Sequence, residues 1–182
     1  QRQMCIRDSI SGAKHDCIVI PMNRPAKGLK LFTDSDWAGT HSIDGDCHSR
    51  SGGLITYNNV PIDWWSSKQT SVATSSGDAE SRALATSISR GLQIQHIAEE
   101  LGVQTNSVLQ VYADADAAIG FAKHNGGATR MKHIDIREAW VEQIRNNSKI
   151  NIMKIFGKQN PADFFTKVMA KAEFNRTSEG LN

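Results

Sequence analysis

GLITYNNVPIDWW, from Gly53 to Trp65, is the stretch on which the fold turns. Two β-prone runs, Gly53 to Tyr57 and Val60 to Trp65, flank Asn58 and Asn59, a two-residue polar turn, and this pattern predicts a hairpin. On its N-terminal side Leu29 to Asp34 reads as a third extended run. It follows the turn-prone MNRPAKG, where Pro25 and Gly28 punctuate, and Cys17 to Pro21 before that reads as a connector. Three consecutive antiparallel strands are therefore expected.

On the C-terminal side the period changes. Leu84, Ile88 and Leu92 recur every fourth residue, Ile97 and Leu101 continue the apolar side, and Gly102 ends a helix running from Ser75 to Leu101. Val108 to Ala113 is an apolar strand that feeds a helix over Ala115 to Lys123, broken by Asn125, Gly126 and Gly127. Ile136 to Asn146 is helical through Ala139, Trp140, Val141 and Ile144, and Ile150 to Phe156 alternates as a strand. Asn160 and Pro161 stand as N-cap and first residue of a last helix through Lys171. The order β-β-β-α-β-α-α-β-α implies an α/β fold with a five-stranded mixed sheet and helices packed against it.

The 182 residues, 39% hydrophobic and 22% charged, suit one globular domain and exclude a disordered or fibrous chain. A formal charge of +2 is too small to identify a nucleic-acid binder, so any basic surface must be local. Cys5, Cys17 and Cys47 are odd in number and form no C-x-x-C pair, which fits a reducing, intracellular setting better than a disulfide framework. No run approaches the roughly 18 apolar residues that cross a bilayer, so no membrane partner is expected. Residues 1–9 lack any period and read as a non-native leader, and 171–182 as a flexible tail.

Four carboxylates are the chemical candidates. Asp34 and Asp114 each end an extended run, where open sheets place ligands. Asp163 sits in the first turn of the helix capped by Asn160, directly after a strand. Glu80 lies one helical turn before Leu84 and two before Ile88, on the stripe that should face the sheet, where a bare carboxylate is costly. Bound cations remove that cost, and all-oxygen ligands at an open site suit Mg²⁺. Two such ions about 4 Å apart can activate a water and stabilise a leaving phosphodiester oxygen. Singly, Asp163 is explained as a helix-dipole residue and Asp34 as a turn residue. Asp78 is assigned to a capping box with Ser75, while Asp36 and Asp116 are possible substitutes without the strand-end position.

FTDSDWAG (Phe32 to Gly39), SRSGG (Ser49 to Gly53), PIDWWSSKQ (Pro61 to Gln69), ATSSGDAE (Ala73 to Glu80), YADADAAI (Tyr112 to Ile119), KHIDIR (Lys132 to Arg137) and NPADFFTK (Asn160 to Lys167) occur in this order. In order and spacing they resemble the ribonuclease H domains of copia-type retrotransposon Pol polyproteins. The resemblance covers about Leu29 to Met169, and residues 10–28 resemble the connector after the polymerase domain, leaving 29–170 as the domain.

It implies a ribonuclease H-like fold and a catalytic, metal-binding set of Asp34, Glu80, Asp114 and Asp163. It also implies two Mg²⁺ ions, with Mn²⁺ as a substitute, and hydrolysis of the RNA strand of RNA–DNA hybrids. The expected partners are the hybrid and the polymerase domain of the same polyprotein. The expected location is cytoplasmic, in the element's virus-like particle, or nuclear. An inert or co-opted module that binds nucleic acid or supports the polymerase is the alternative. A strand-transferring relative of the same fold is a more distant one.

Departures from the family pattern are Ala115, where many relatives have Asn, Gly53, where an aromatic residue often follows SG, and a loop Phe156 to Asn160 without the His that many cellular ribonucleases H carry. Around the carboxylates, Arg50, Lys68, Arg130 and Lys132 are read as loop cations for phosphates, Ser51, Ser66 and Gln69 as sugar readers, and His133 as a substrate-contact or structural residue. Trp64 and Trp65 are both assigned to the core. His41, Cys47 and His48 form a nominal zinc cluster without a fourth ligand, and Tyr112 to Ala115 lacks the second Asp of a polymerase Y-x-D-D turn.

Overall fold

The computed structural model describes residues 28–39, 45–114 and 136–167. The expected leader, most of the connector, the helix Ala115 to Lys123, the end of the last helix, the tail, His41, Asp116, Arg130, Lys132 and His133 lie outside the described residues. The strands are β1 (Leu29–Asp36), β2 (Arg50–Tyr57), β3 (Val60–Lys68), β4 (Leu109–Ala113) and β5 (Ile150–Lys154). The helices are α1 (Ser76–Glu100) and α2 (Ile136–Asn146), and two 3-10 turns, Gly157–Gln159 and Pro161–Phe165, follow β5.

The hairpin forms where the sequence places it. Asn58 and Asn59 both take left-handed backbone, φ 53° and 65°, the pair of angles that matches a two-residue turn to the twist of its strands. β1 pairs antiparallel with β2 and β2 with β3, and the strands run further than their apolar residues do. Asp36 pairs with Arg50 and Arg50 with Lys68, because the ladder hydrogen bonds continue past the hydrophobic run. Arg50 and Lys68 thus end strands and do not lie in loops.

The sheet order is β3-β2-β1-β4-β5, with β4 parallel to β1 and β5 parallel to β4. Parallel pairing of β1 and β4 brings their C-terminal ends, and so Asp34 and Asp114, to one edge. The chain leaving β5 arrives at that same edge.

One face of the sheet carries the core. Leu29, Leu31, Ile55, Trp65, Val111 and Ile150 meet Leu84 and Ile88 of α1 and Val141 of α2, all buried. Thr33 and Ser87 share a hydroxyl hydrogen bond of 2.8 Å within this interface, so neither buried oxygen is orphaned. Trp65 lies across Gly53, its cross-strand partner, where an added Cβ would sit 2.1 Å from the indole Cζ2. The ring therefore fills the room that a side chain at position 53 would occupy. Trp64 points the other way and is 49% exposed, against the expectation that both tryptophans are core, because β3 is an edge strand whose side chains alternate. Among the described residues no helix is long and apolar enough to cross a membrane.

Candidate active site

Asp34 lies two residues before the end of β1, opposite Gly52 of β2. Glu80 comes from the second turn of α1, partly buried, and Asp114 directly follows β4. These three line one crevice together with Thr33, Ser35 and Leu84, and its volume of about 10 Å³ is room for about one water.

Asp163 reaches the same place from the opposite end of the chain. Asn160 is buried and acts in two directions. Its Oδ1 accepts from the Ala162 amide at 3.1 Å, capping the Pro161–Phe165 turn, and its Nδ2 donates to the Thr33 carbonyl on β1 at 2.9 Å. The cap was expected, but the element is a 3-10 turn through Phe165 where an α-helix was expected. The amides of Asp163 and Thr166 bond to carbonyls three residues back, at 3.1 and 3.3 Å. In such a turn side chains at i and i+3 eclipse, so Asp163 and Thr166 point together. Both meet Asp34: the Thr166 hydroxyl donates to Asp34 Oδ2, and Asp163 acts on the same carboxyl by charge and hydrogen bonding. Gly52 makes this approach possible, since a Cβ there would lie 2.6 Å from Thr166 Cγ2 and 2.9 Å from Phe165 Cβ.

Burial pushes the Asp34 carboxyl up to about 6. The Thr166 hydrogen bond opposes this and the neighbouring Asp163 charge adds to it. Asp36 is raised as well, chiefly by burial. Lys167 bridges to Asp163 Oδ2 at 2.8 Å. Burial works against its ammonium, but the hydrogen bond to Asp163 and the charges of Asp34, Asp163 and Asp36 hold its pKa above the usual lysine value.

The site is thus short of positive charge, and Asp163 Oδ1 is buried without a hydrogen-bond partner among the described residues. A hard cation would answer both needs, and the donor set is all oxygen. Among the described residues, however, no three His, Cys, Asp or Glu groups stand close enough to hold one ion together. Asp34, Glu80 and Asp114 share this crevice, and Asp163 adjoins it through Asp34.

The surrounding candidates separate. Ser51 and Gln69 are buried, and Gln69 Nε2 donates to Ser51 Oγ at 3.0 Å and to the Ala79 carbonyl at 2.9 Å, tying β2 and β3 to α1 one residue before Glu80. Ser66 is exposed. Arg50 acts on Asp36 by charge, and Lys68 pairs with Asp46, whose carboxyl is held below the usual range by that bond first and by His48 second. The His48 ring nitrogen Nδ1 lies 2.7 Å from the same carboxylate, so it is engaged there. Asp78 is structural, as expected: its amide donates to Ser75 Oγ at 3.1 Å and its carboxylate pairs with Arg82.

Sequence reasoning did not single out Thr166, Lys167 or the bond from Asn160 to β1. The Asp163–Lys167 pair had a signal, the i,i+4 spacing of opposite charges, but the other two depend on long-range contact.

No family model matches the chain. It is 32% identical over 170 residues to the retrovirus-related Pol polyprotein from transposon TNT 1-94 of Nicotiana tabacum, a match that covers 93% of the chain and 12% of that polyprotein. Among solved structures, the solution structure of the PFV RNase H domain aligns with a TM-score of 0.51 at 17% identity, covering 88% of this chain and 93% of that one. LC11-RNase H1, crystallised in complex with an RNA/DNA hybrid, aligns at 0.50 and 15% identity over 85% and 99%. The chain therefore has the ribonuclease H-like α/β fold and belongs by sequence with the retrovirus-related Pol polyproteins of plant copia-type transposons.

Proposed function

We propose that this domain hydrolyses the RNA strand of RNA–DNA hybrids within a retrotransposon Pol polyprotein. The observation that carries this reading is the convergence of Asp34, Glu80, Asp114 and Asp163 on one sheet edge, from four separate segments and against the electrostatic cost seen at Asp34. Asp34, Glu80, Asp114 and Asp163 would hold Mg²⁺, with Mn²⁺ as substitute, and the metal when bound supplies an activated water and charge for the leaving oxygen.

The chain's own residues do the rest. Thr166 and Lys167 fix the Asp34 and Asp163 carboxyls, and Asn160 holds their two segments together. Gln69 and Ser51 brace the start of α1 behind Glu80. Arg50 and Lys68, at the ends of adjacent strands on this edge, are placed to take backbone phosphates, with Lys132 as a further loop cation and His133, on the resemblance, as a substrate-contact or structural residue. The known complex of LC11-RNase H1 with a hybrid supports the substrate class.

The test is cleavage of an RNA–DNA hybrid, single-stranded RNA and duplex DNA with Mg²⁺, with Mn²⁺ and with chelator, beside Asp34→Asn. Metal-dependent cleavage confined to the hybrid and lost in the variant is expected. A hybrid left intact under every metal condition refutes the proposal. The alternative outcome is a module that binds nucleic acid or supports the polymerase without cutting. Hybrid binding by wild type and Asp34→Asn alike, with no cleavage by either, would establish it.

A further inference from the structure

Trp37 is a large aromatic side chain with no role so far, and three features set it apart from an incidental surface residue. It directly follows β1, three positions after Asp34, yet the residue is 51% exposed. Its indole N–H is not left to solvent but donates to the Ala73 carbonyl at 3.2 Å, in the loop that leads into α1 and Glu80. The next residue, Ala38, takes left-handed backbone at φ 51°, a conformation that a non-glycine residue adopts only at a cost.

The loop that receives the indole is itself fixed. Ala73 is buried, the Thr74 amide donates to Asp78 Oδ2 at 2.9 Å, and Asp78 is paired with Arg82 one turn along α1, Nε to Oδ1 at 2.7 Å. The ring is therefore held between the end of the strand that carries Asp34 and the start of the helix that carries Glu80. Its bond to Ala73 orients it, on a residue that remains about half exposed to solvent.

We infer that Trp37 is a substrate platform, packing its exposed face against a sugar of the hybrid's minor groove beside the carboxylate crevice. The minor groove of an A-like duplex is wide and shallow and displays sugars, whereas paired bases are closed to stacking along the duplex. An indole combines a flat apolar surface with little rotamer entropy to lose, and here its single polar group is already satisfied by the protein. This inference rests on the nucleic-acid reading above and names a contact for it.

The experiment measures binding of a short RNA–DNA hybrid in chelator by wild type, Trp37→Ala and Trp37→Phe, with thermal unfolding of each as a folding control. Loss of the ring should weaken binding about tenfold or more, in the range of aromatic contacts to nucleic acid. Trp37→Phe, which keeps a ring and loses the bond to Ala73, should stay within about threefold of wild type. A mere strut between β1 and the α1 loop would show the opposite, with both variants losing stability and neither losing affinity.

Should Trp37→Ala not fold, acrylamide quenching of wild type against Trp37→Phe isolates the Trp37 emission, which the hybrid should shield. Equal affinities in wild type and Trp37→Ala, no shielding, or no hybrid binding at all overturns the inference. Trp37-dependent binding in a wild type that cleaves no hybrid would remove the nuclease reading and leave this one standing.

Discussion

The Asp34 carboxyl is where this fold gives up stability. Its folded pKa of about 6 lies above the value of 3.8 it has when exposed, chiefly through burial. The folded state therefore holds the Asp34 proton more tightly than the unfolded state does. Its contribution is present below pH 4 and is lost as pH rises through 6. At neutral pH this amounts to at most about 3 kcal/mol against the folded state.

In chelator, urea denaturation should show wild type losing stability relative to Asp34→Asn as pH goes from 4 to 7, and parallel curves would contradict the assignment. Adding Mg²⁺ at pH 7 should raise the wild-type midpoint and leave that of Asp34→Asn nearly unmoved, since an ion bound only by the native state stabilises it by mass action. Glu80, Asp34 and Asp114 stood out in the sequence because charge on an apolar stripe or at a strand end is a local anomaly, whereas Asp163, in the first turn of a capped element, stood out only through the resemblance. Thr166 did not, because its hydroxyl reaches a residue 132 positions away.

At the level of elements, the hairpin and α1 were legible because turn chemistry and period are written into adjacent residues. The last element was read only in part. Asn160 as cap and Pro161 behind it signal the start of a helix of either kind; the element winds as a 3-10 turn whose Phe165 and Thr166 pack close over Gly52, a long-range contact that adjacent residues do not announce. Strand ends were misjudged for a related reason, since Arg50 and Lys68 pair through backbone bonds that their side chains do not announce.

Asn160 joins the local and the long-range signals. Asn160→Ala removes both the cap and the bond to Thr33 and should destabilise by about 2–3 kcal/mol. Asn160→Asp keeps the capping oxygen but turns the donor facing the Thr33 carbonyl into an acceptor. A denaturation loss as large as that of alanine would assign the energy to the tie between β1 and the final turn. Recovery to wild type would assign it to the cap alone.

For the whole molecule, a formal charge of +2 is silent about nucleic acid, but the sheet sorts the charges that the total conceals. Antiparallel β2 begins, and β3 ends, where parallel β1, β4 and β5 end, so Arg50, Lys68 and Lys154 collect on the carboxylate edge, where Lys167 also stands. Lys30 occupies the opposite edge, bonded to Asn59 at 2.8 Å.

Hybrid affinity should then fall with salt in proportion to the few phosphates this edge can reach, at about 0.9 in the log–log slope for each. Lys154→Ala should lower the slope by about one, and Lys30→Ala should leave it unchanged. Lys68 is partly neutralised by Asp46 and should count for less than Lys154. Binding isotherms across a salt series decide the matter. Equal losses from Lys154→Ala and Lys30→Ala would mean that the nucleic acid responds to diffuse charge, and the carboxylate edge would no longer be the face that meets the duplex.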